Sequence, residues 1–219
     1  MATRTQRGDA LSKERIVEAA MAILDTDGES ALTFRALAAR LATGSGAIYW
    51  HVANKNELLA AATDHVITGV LTDVAAAADP REAIRTIALG VFDAIDAHPW
   101  VGTQLSREPW QAAMLQIFEG VGRPLLALGV PERAQFDCAS ALVNYVLGVA
   151  GQNAANARLV ERGTDRSAFL GAVADQWARL DPARYPFVRQ IAAQLRDHDD
   201  REQFLAGIDL ILAGIAAVG

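Results

Sequence analysis

The chain has one cysteine, Cys138, so no intramolecular disulfide can form. Cys138 falls in an apolar helical run, where it reads as a small core residue, with redox sensing as the alternative. Aromatic residues make up only 6% of the sequence, and β-branched runs are scarce, so no strand-rich domain is expected. No apolar stretch approaches the roughly 18 uninterrupted residues that a membrane-spanning helix needs. Residues 1–15 are polar and lack the apolar segment of a secretory signal, which leads to the expectation of a cytoplasmic protein. The histidines His51, His65, His98 and His198 occur singly, with no His-x-x-x-His or Glu-x-x-His pair to grip an ion from one helix face. Neither a metal nor a cofactor is therefore expected. Dinucleotide, P-loop and nucleophile-elbow motifs are missing too, which leaves a helical enzyme as a minor alternative.

What is present is a chain of 219 residues, 52% hydrophobic, alanine-rich and with its charges interspersed. That composition predicts an all-α protein: a three-helix head over residues 1–60, its first 11 residues a flexible arm, and a helical body over 61–219. The net charge of −6 divides unevenly, because residues 1–60 carry seven basic and seven acidic side chains and the whole excess of acid lies in the body. A polyanion would thus meet a neutral head and be held by a local patch, helped by dimerisation. Arg4 and Arg7 in the arm either reach a minor groove or belong to a disordered tail.

The densest information lies in residues 33–59. Phe34, Leu37, Ala38 and Leu41 mark one apolar helix face that Thr33 can cap. Ala42, Thr43 and Gly44 interrupt the pattern. Ser45 is the expected cap of a second short helix, whose Ile48 and Val52 turn inward. This is a helix-turn-helix. Ser45, Gly46, Ala47, Trp50 and His51 are left on its leading end and outer face, with Tyr49 at the flank. Gly44 and Gly46 permit close backbone approach, and the helix start offers free N–H groups to phosphate. Asn54 and Glu57 form a capping pair for the next helix. Lys55 at its first position opposes the helix dipole, which a phosphate partner explains better than stability does. An amphipathic first helix with Ile16, Val17, Ala20, Ile23 and Leu24, capped by Ser12 and stopped near Gly28, closes the head.

Residues 12–59 resemble the DNA-binding domain of the tetracycline-repressor (TetR) family of bacterial transcriptional regulators, through Ile48-Tyr49-Trp50-His51-Val52, then Asn54-Lys55 and Leu58-Leu59. The resemblance implies a homodimeric regulator, most simply a repressor, that binds a palindromic double-stranded DNA operator. A small apolar or aromatic effector in a body cavity would move the fourth helix and reset the separation of the recognition helices. Arg35, Ser45, Gly46 and Ala47 then fall where relatives approach bases or sugar-phosphate. Tyr49, His51 and Lys55 fall at phosphate positions, and Trp50, Thr33, Thr43 and Gly44 belong to the same surface. Small residues at the leading recognition positions depart from the family's namesake, so the operator sequence stays open. Counted without gaps from Lys55, Leu71 stands where that namesake has a histidine that helps hold magnesium-tetracycline. Leucine cannot replace it, which argues against tetracycline.

In the body, periodicity predicts helices over 54–78, 81–97, a short one ending at 107, 109–128 with Gly122 and Pro124 as a kink or interruption, 132–161, 167–180, 186–196 and 200–218. Trp110, Met114, Ile117, Phe118 and Val121 form a stripe beside Phe92, Trp100 and Gln104. Either this is ordinary core or, with Asn144 and Tyr145, it lines an effector pocket. The last helix bears Phe204, Ile208, Ile211 and Ile215, and the helix from 132 bears Leu142 and Val146. These faces suggest a symmetric four-helix seam between protomers, with burial in a single core as the other reading. Residues 204–214 also resemble the C-terminal helix of the tetracycline-repressor-like subgroup, where that helix dimerises. Asp93 and Asp96 read as a solvated helix face. A constitutive DNA-organising protein with the same head and a solid body is the competing functional class.

Overall fold

The computed structural model describes residues 11–73, 79–159 and 165–218. Within them the chain forms eleven α-helices, two 3-10 turns and no strand. The arm with Arg4 and Arg7, and residues 74–78 at the predicted end of the fourth helix, lie outside the described residues.

Local chemistry sets the helix boundaries of the head. Ser12 Oγ accepts from the backbone N–H of Arg15 at 3.3 Å and opens α1 (Lys13–Asp27), which stops at Gly28 with φ 79°. After a 3-10 turn at Glu29–Ala31, Thr33 caps α2 (Phe34–Arg40) by accepting from Ala36 N at 3.1 Å. The turn that follows puts its positive φ of 51° on Ala42. Gly44, at φ −82°, has no need of the left-handed region. Gly44 rather than Ser45 is the N-cap of α3 (Ser45–Tyr49), and no side-chain bond closes that end. α3 is only five residues long, so Trp50 and His51 follow it in a turn. Asn54 Oδ1 accepts from Glu57 N at 2.9 Å, while Glu57 Oε2 reaches one residue further back and accepts from Ala53 N at 2.8 Å, and this variant of the capping box opens α4 (Lys55–Asp73).

The body follows as α5 (Pro80–Ala97), α6 (Pro99–Arg107), α7 (Ala112–Ala127), α8 (Glu132–Leu159), α9 (Arg166–Ala178), α10 (Pro186–Ile191) and α11 (Asp200–Ala216). Two expectations need correction. α7 begins at Ala112 and not at Pro109, because the backbone N–H of Glu108 closes α6 on Gln104 O and Gln111 N then bonds to Glu108 O in a tight turn. Residues 186–196 do not form one helix, since α10 gives way at Ala192 to the second 3-10 turn, Ala192–Leu195. Pro124 is accommodated inside α7 without ending it.

One apolar core runs from the head into the body. Ile16, Leu37 and Ile48 in the head join Leu58, Ala62 and Ile67 along α4, and these continue into Ile84, Val91, Ile117 and Leu142. α4 packs on α1 above and on α5, α6 and α7 below. It seats closely there: a Cβ on Gly90 would lie 2.5 Å from Val70 Cγ1, and one on Gly120 would lie 3.0 Å from Leu71 Cδ2. Polar ties add direction. Gln116 Nε2 donates to Asp64 Oδ1 at 2.6 Å between α7 and α4, and Arg85 binds Asp209 between α5 and α11 through two nitrogens. Asp93 and Asp96 are not simply solvated: Asp93 pairs with Arg201 of α11, and Asp96 accepts from Asn153 of α8. Cys138 is buried, as a core residue would be. No helix among the described residues is long and apolar enough to cross a membrane.

Candidate nucleic-acid interface and effector region

Ile48 and Val52 are fully buried beneath the turn, and this seats α3 on α2. With those two inward, Thr33, Arg35, Gly44, Ser45, Gly46, Tyr49 and Trp50 are exposed, and Thr43, Ala47 and His51 are half-buried. Trp50 is 90% exposed. A large indole left in water gains nothing for the fold, so its reason is a partner. Tyr49 differs, because its ring stacks on Phe34 at 4.3 Å and 2°, which fixes the ring and leaves over half of the residue accessible. A Cβ added to Gly44 or Gly46 would meet nothing within 4 Å. Packing inside the protein therefore does not call for glycine at either position. Arg35 and Arg40 are exposed and make no ion pair among the described residues, and Arg40 had no local pattern to single it out.

Lys55 is more committed than its position suggested. Its Nζ donates to the carbonyl oxygen of Glu29 at 2.6 Å, tying the start of α4 to the turn after α1. An ammonium carries three donors, so this bond leaves two for another partner.

The polar seam between head and body was invisible in the sequence. Asp25 Oδ1, near the end of α1, accepts from Trp100 Nε1 at 2.7 Å and lies 2.8 Å from His98 Nδ1. Arg107 at the end of α6 pairs with Glu29 at 2.7 Å. These partners lie more than 70 residues apart, beyond any periodic signal.

Several residues expected to line a central pocket pack in the core. Phe92 meets Phe204 at 4.6 Å between ring centroids, and Tyr145 donates its hydroxyl to Phe204 O at 3.2 Å. Burial pushes the Tyr145 phenol above its ordinary pKa. Trp100, Gln104 and Met114 are buried, and Phe118 is half-buried against the core. Two candidates fall elsewhere: Trp110 stands in the α6–α7 turn at 88% exposure, and Asn144 is on the exposed face of α8. Trp110 leaves the stripe because α7 starts after it. One trace of polarity remains, since Gln111 donates through Nε2 to Gln104 O while its buried Oε1 has no partner among the described residues. Cavities lie to either side of this core. A groove of about 660 Å³ runs between α1 and α4 past Lys13, Glu57 and His65, and a cleft of about 580 Å³ lies between α8, the α9–α10 region and α11.

The proposed seam residues Leu142, Val146, Phe204, Ile208 and Ile215 are buried within the protomer, and Ile211 is half-buried. The α11 face left in solvent carries Ala206, Leu210, Ala213 and Ala217, and α8 exposes Ala141, Asn144 and Gly148. The periodicity of α11 found its inner face correctly and gave that face to the wrong neighbour.

The family described as "Bacterial regulatory proteins, tetR family" matches residues 16–62, and "Tetracyclin repressor-like, C-terminal domain" matches residues 76–218. The chain belongs to the TetR family of bacterial transcriptional regulators. The helix-turn-helix is thus the DNA-binding head of a TetR regulator, and the protein is a regulator rather than an enzyme. It is 29% identical over 212 residues to an HTH-type transcriptional regulator of Saccharopolyspora erythraea, covering 94% of this chain and 85% of that one. Among solved structures it is similar to the TetR regulator SCO7222 of Streptomyces coelicolor, at 55% identity and TM-score 0.88, over 95% of this chain and 99% of the other. It also resembles ActR of Streptomyces coelicolor in complex with actinorhodin, at 25% identity and TM-score 0.78, over 94% and 96% of the two chains.

Proposed function

We propose that this TetR regulator acts in the bacterial cytoplasm as a homodimer that represses transcription from a palindromic operator and is released by a small molecule. The observation that carries the DNA half is the helix-turn-helix around Trp50, where an unsupported indole and two glycines with no internal steric role follow α2 with its exposed Arg35 and Arg40. Two such heads related by a dyad would read half-sites spaced by about one helical turn or a multiple of it. The α8–α11 face supports the dimer, since Ala206, Ala213, Ala141 and Gly148 let two helix pairs approach closely around Leu210. The ligand half draws on ActR, which is seen with actinorhodin, and on the described cavities.

One observation favours a constitutive DNA binder instead: Phe92, Trp100, Gln104 and Met114 at the centre of the body are buried in the core. The cleft beside α8 and α11 weighs against it.

Selection of bound fragments from sheared genomic DNA tests the reading. Recovered fragments should share an inverted repeat. Trp50→Ala should lower affinity for it at least tenfold with an unchanged melting temperature, because Trp50 supports nothing inside the protein. Recovery of unrelated fragments with equal affinity would favour DNA organisation over operator recognition.

A further inference from the structure

The cleft between α8, α9, the second 3-10 turn and α11 has features that the packed centre lacks. Its volume of about 580 Å³ lies within the roughly 300–1,000 Å³ typical of small-molecule sites. Gln152, Asn153 and Asn156 reach it from α8, Gln194 from the 3-10 turn and Gln203 from α11. Each amide offers two donors and an acceptor, so together they suit a molecule with several oxygens of both kinds. Trp177, Ile191 and Leu195 supply apolar wall. The charge in the lining is compensated: Asp200 pairs with Arg166 at 2.7 Å and lies 3.0 Å from His198 Nε2. Among the described lining residues an ion would find no unmatched partner.

We propose that this cleft is the effector site, and that it takes a neutral aromatic molecule bearing several hydroxyl and carbonyl groups. The proposal rests on the effector-responsive reading above.

A ligand shifts an equilibrium only through contacts that differ between its states, and the cleft lies between two bodies that can separate. α9, α10 and the 3-10 turn pack on one another, and their buried Ala174 and Ala192 stand apart from the main core. Filling the cleft joins this lobe to α8 and α11. From there a chain of contacts leads to the head. Asn153 Nδ2 donates to Asp96 Oδ1 at 3.0 Å, and Asp96 sits at the end of α5, two residues before His98. His98 and Trp100 hold Asp25 of α1. Movement of Asn153 thus acts on the α5–α6 corner, which grips the head.

The test uses the full-length dimer, its selected operator and a panel of neutral hydroxylated anthraquinones and flavones. Anthraquinone-2-sulfonate serves as the anionic control and anthracene as the apolar one. Binding is read by tryptophan quenching and release by operator anisotropy. At least one hydroxylated compound should bind with micromolar Kd and release the operator, with both controls at least tenfold weaker. Asn156→Leu and Gln203→Leu, both at exposed positions that the fold tolerates, should weaken binding at least tenfold, whereas Gln104→Leu should leave it within twofold. Asp96→Ala should keep compound affinity within twofold but reduce the release it causes. If Gln104→Leu weakens binding and the cleft variants do not, the effector sits in the central core; the cleft assignment is then overturned and the effector-responsive reading survives. Failure of every hydroxylated compound to bind overturns the chemical class. Binding without operator release overturns the effector reading itself, and undiminished release by Asp96→Ala overturns the proposed route.

Discussion

Trp50, Tyr49 and Lys55 lie within seven residues and divide their duties differently. Trp50 is unsupported, Tyr49 is braced by Phe34, and Lys55 holds the carbonyl of Glu29. Lys55→Ala should weaken operator binding evenly across sequence variants and reduce the salt slope by about one, as the loss of one phosphate contact requires. It should also lower the melting temperature, because the Glu29 tie goes with it. A lowered melting temperature with an unchanged slope would make Lys55 purely a structural residue. Candidates on the head were legible because capping, turn and aromatic signals fall within a few residues of each other. Asn144 and Trp110 were misjudged because burial was inferred from apolar neighbours, and the face that each side chain occupies depends on helix phase and on where α7 begins.

At the level of helices, the caps read at Ser12, Thr33 and Asn54 transferred from sequence to structure, and the one read at Ser45 did not, Gly44 taking its place. Ser12, Thr33, Asn54 and Asp79 all accept backbone N–H groups at helix starts. Asp199 does so for α11: the N–H of Glu202 and then that of Arg201 hold its carboxyl below the usual carboxylate range. With a depressed folded pKa, its stabilisation is complete above the unfolded value near pH 4 and is lost as pH falls through the folded one. Asp199→Asn should therefore retain most of the cap at neutral pH while flattening the loss of stability on acidification, as melts between pH 2 and 5 would show. The contact between α1 and α6 was not legible, for Asp25 meets Trp100 only once the chain has folded. Asp25→Ala strands the indole N–H and should cost about 1–3 kcal/mol, read as a fall of a few degrees in melting temperature. It should also loosen the link between effector binding and operator release. Unchanged values for both would show that the seam carries nothing.

For the molecule as a whole, the face left open by α8 and α11 is the proposed dimer seam. Leu210 is 75% exposed, so Leu210→Asp costs the protomer almost nothing while placing a charge in the proposed seam. The variant should sediment as a folded monomer and lose binding to paired half-sites. Ile211→Asp is less clean, because Ile211 also packs on the protomer core. A Leu210→Asp protein that remains dimeric would put the interface elsewhere.

The apolar core that passes through Ala62 and Ile67 without a break also bears on how this regulator can be re-engineered. Cutting the chain after residue 60 would remove Ala62 and Ile67 from the core that Leu58 and Leu59 share with them, so residues 1–60 alone are not a transplantable unit, and the intact protomer should melt in a single cooperative transition. Grafting a foreign head onto this body would bring two mismatched halves of one packing problem together along α4. New operator specificity is better sought by exchanging exposed residues of the recognition surface, such as Ser45, Gly46 and Trp50, which the core does not touch.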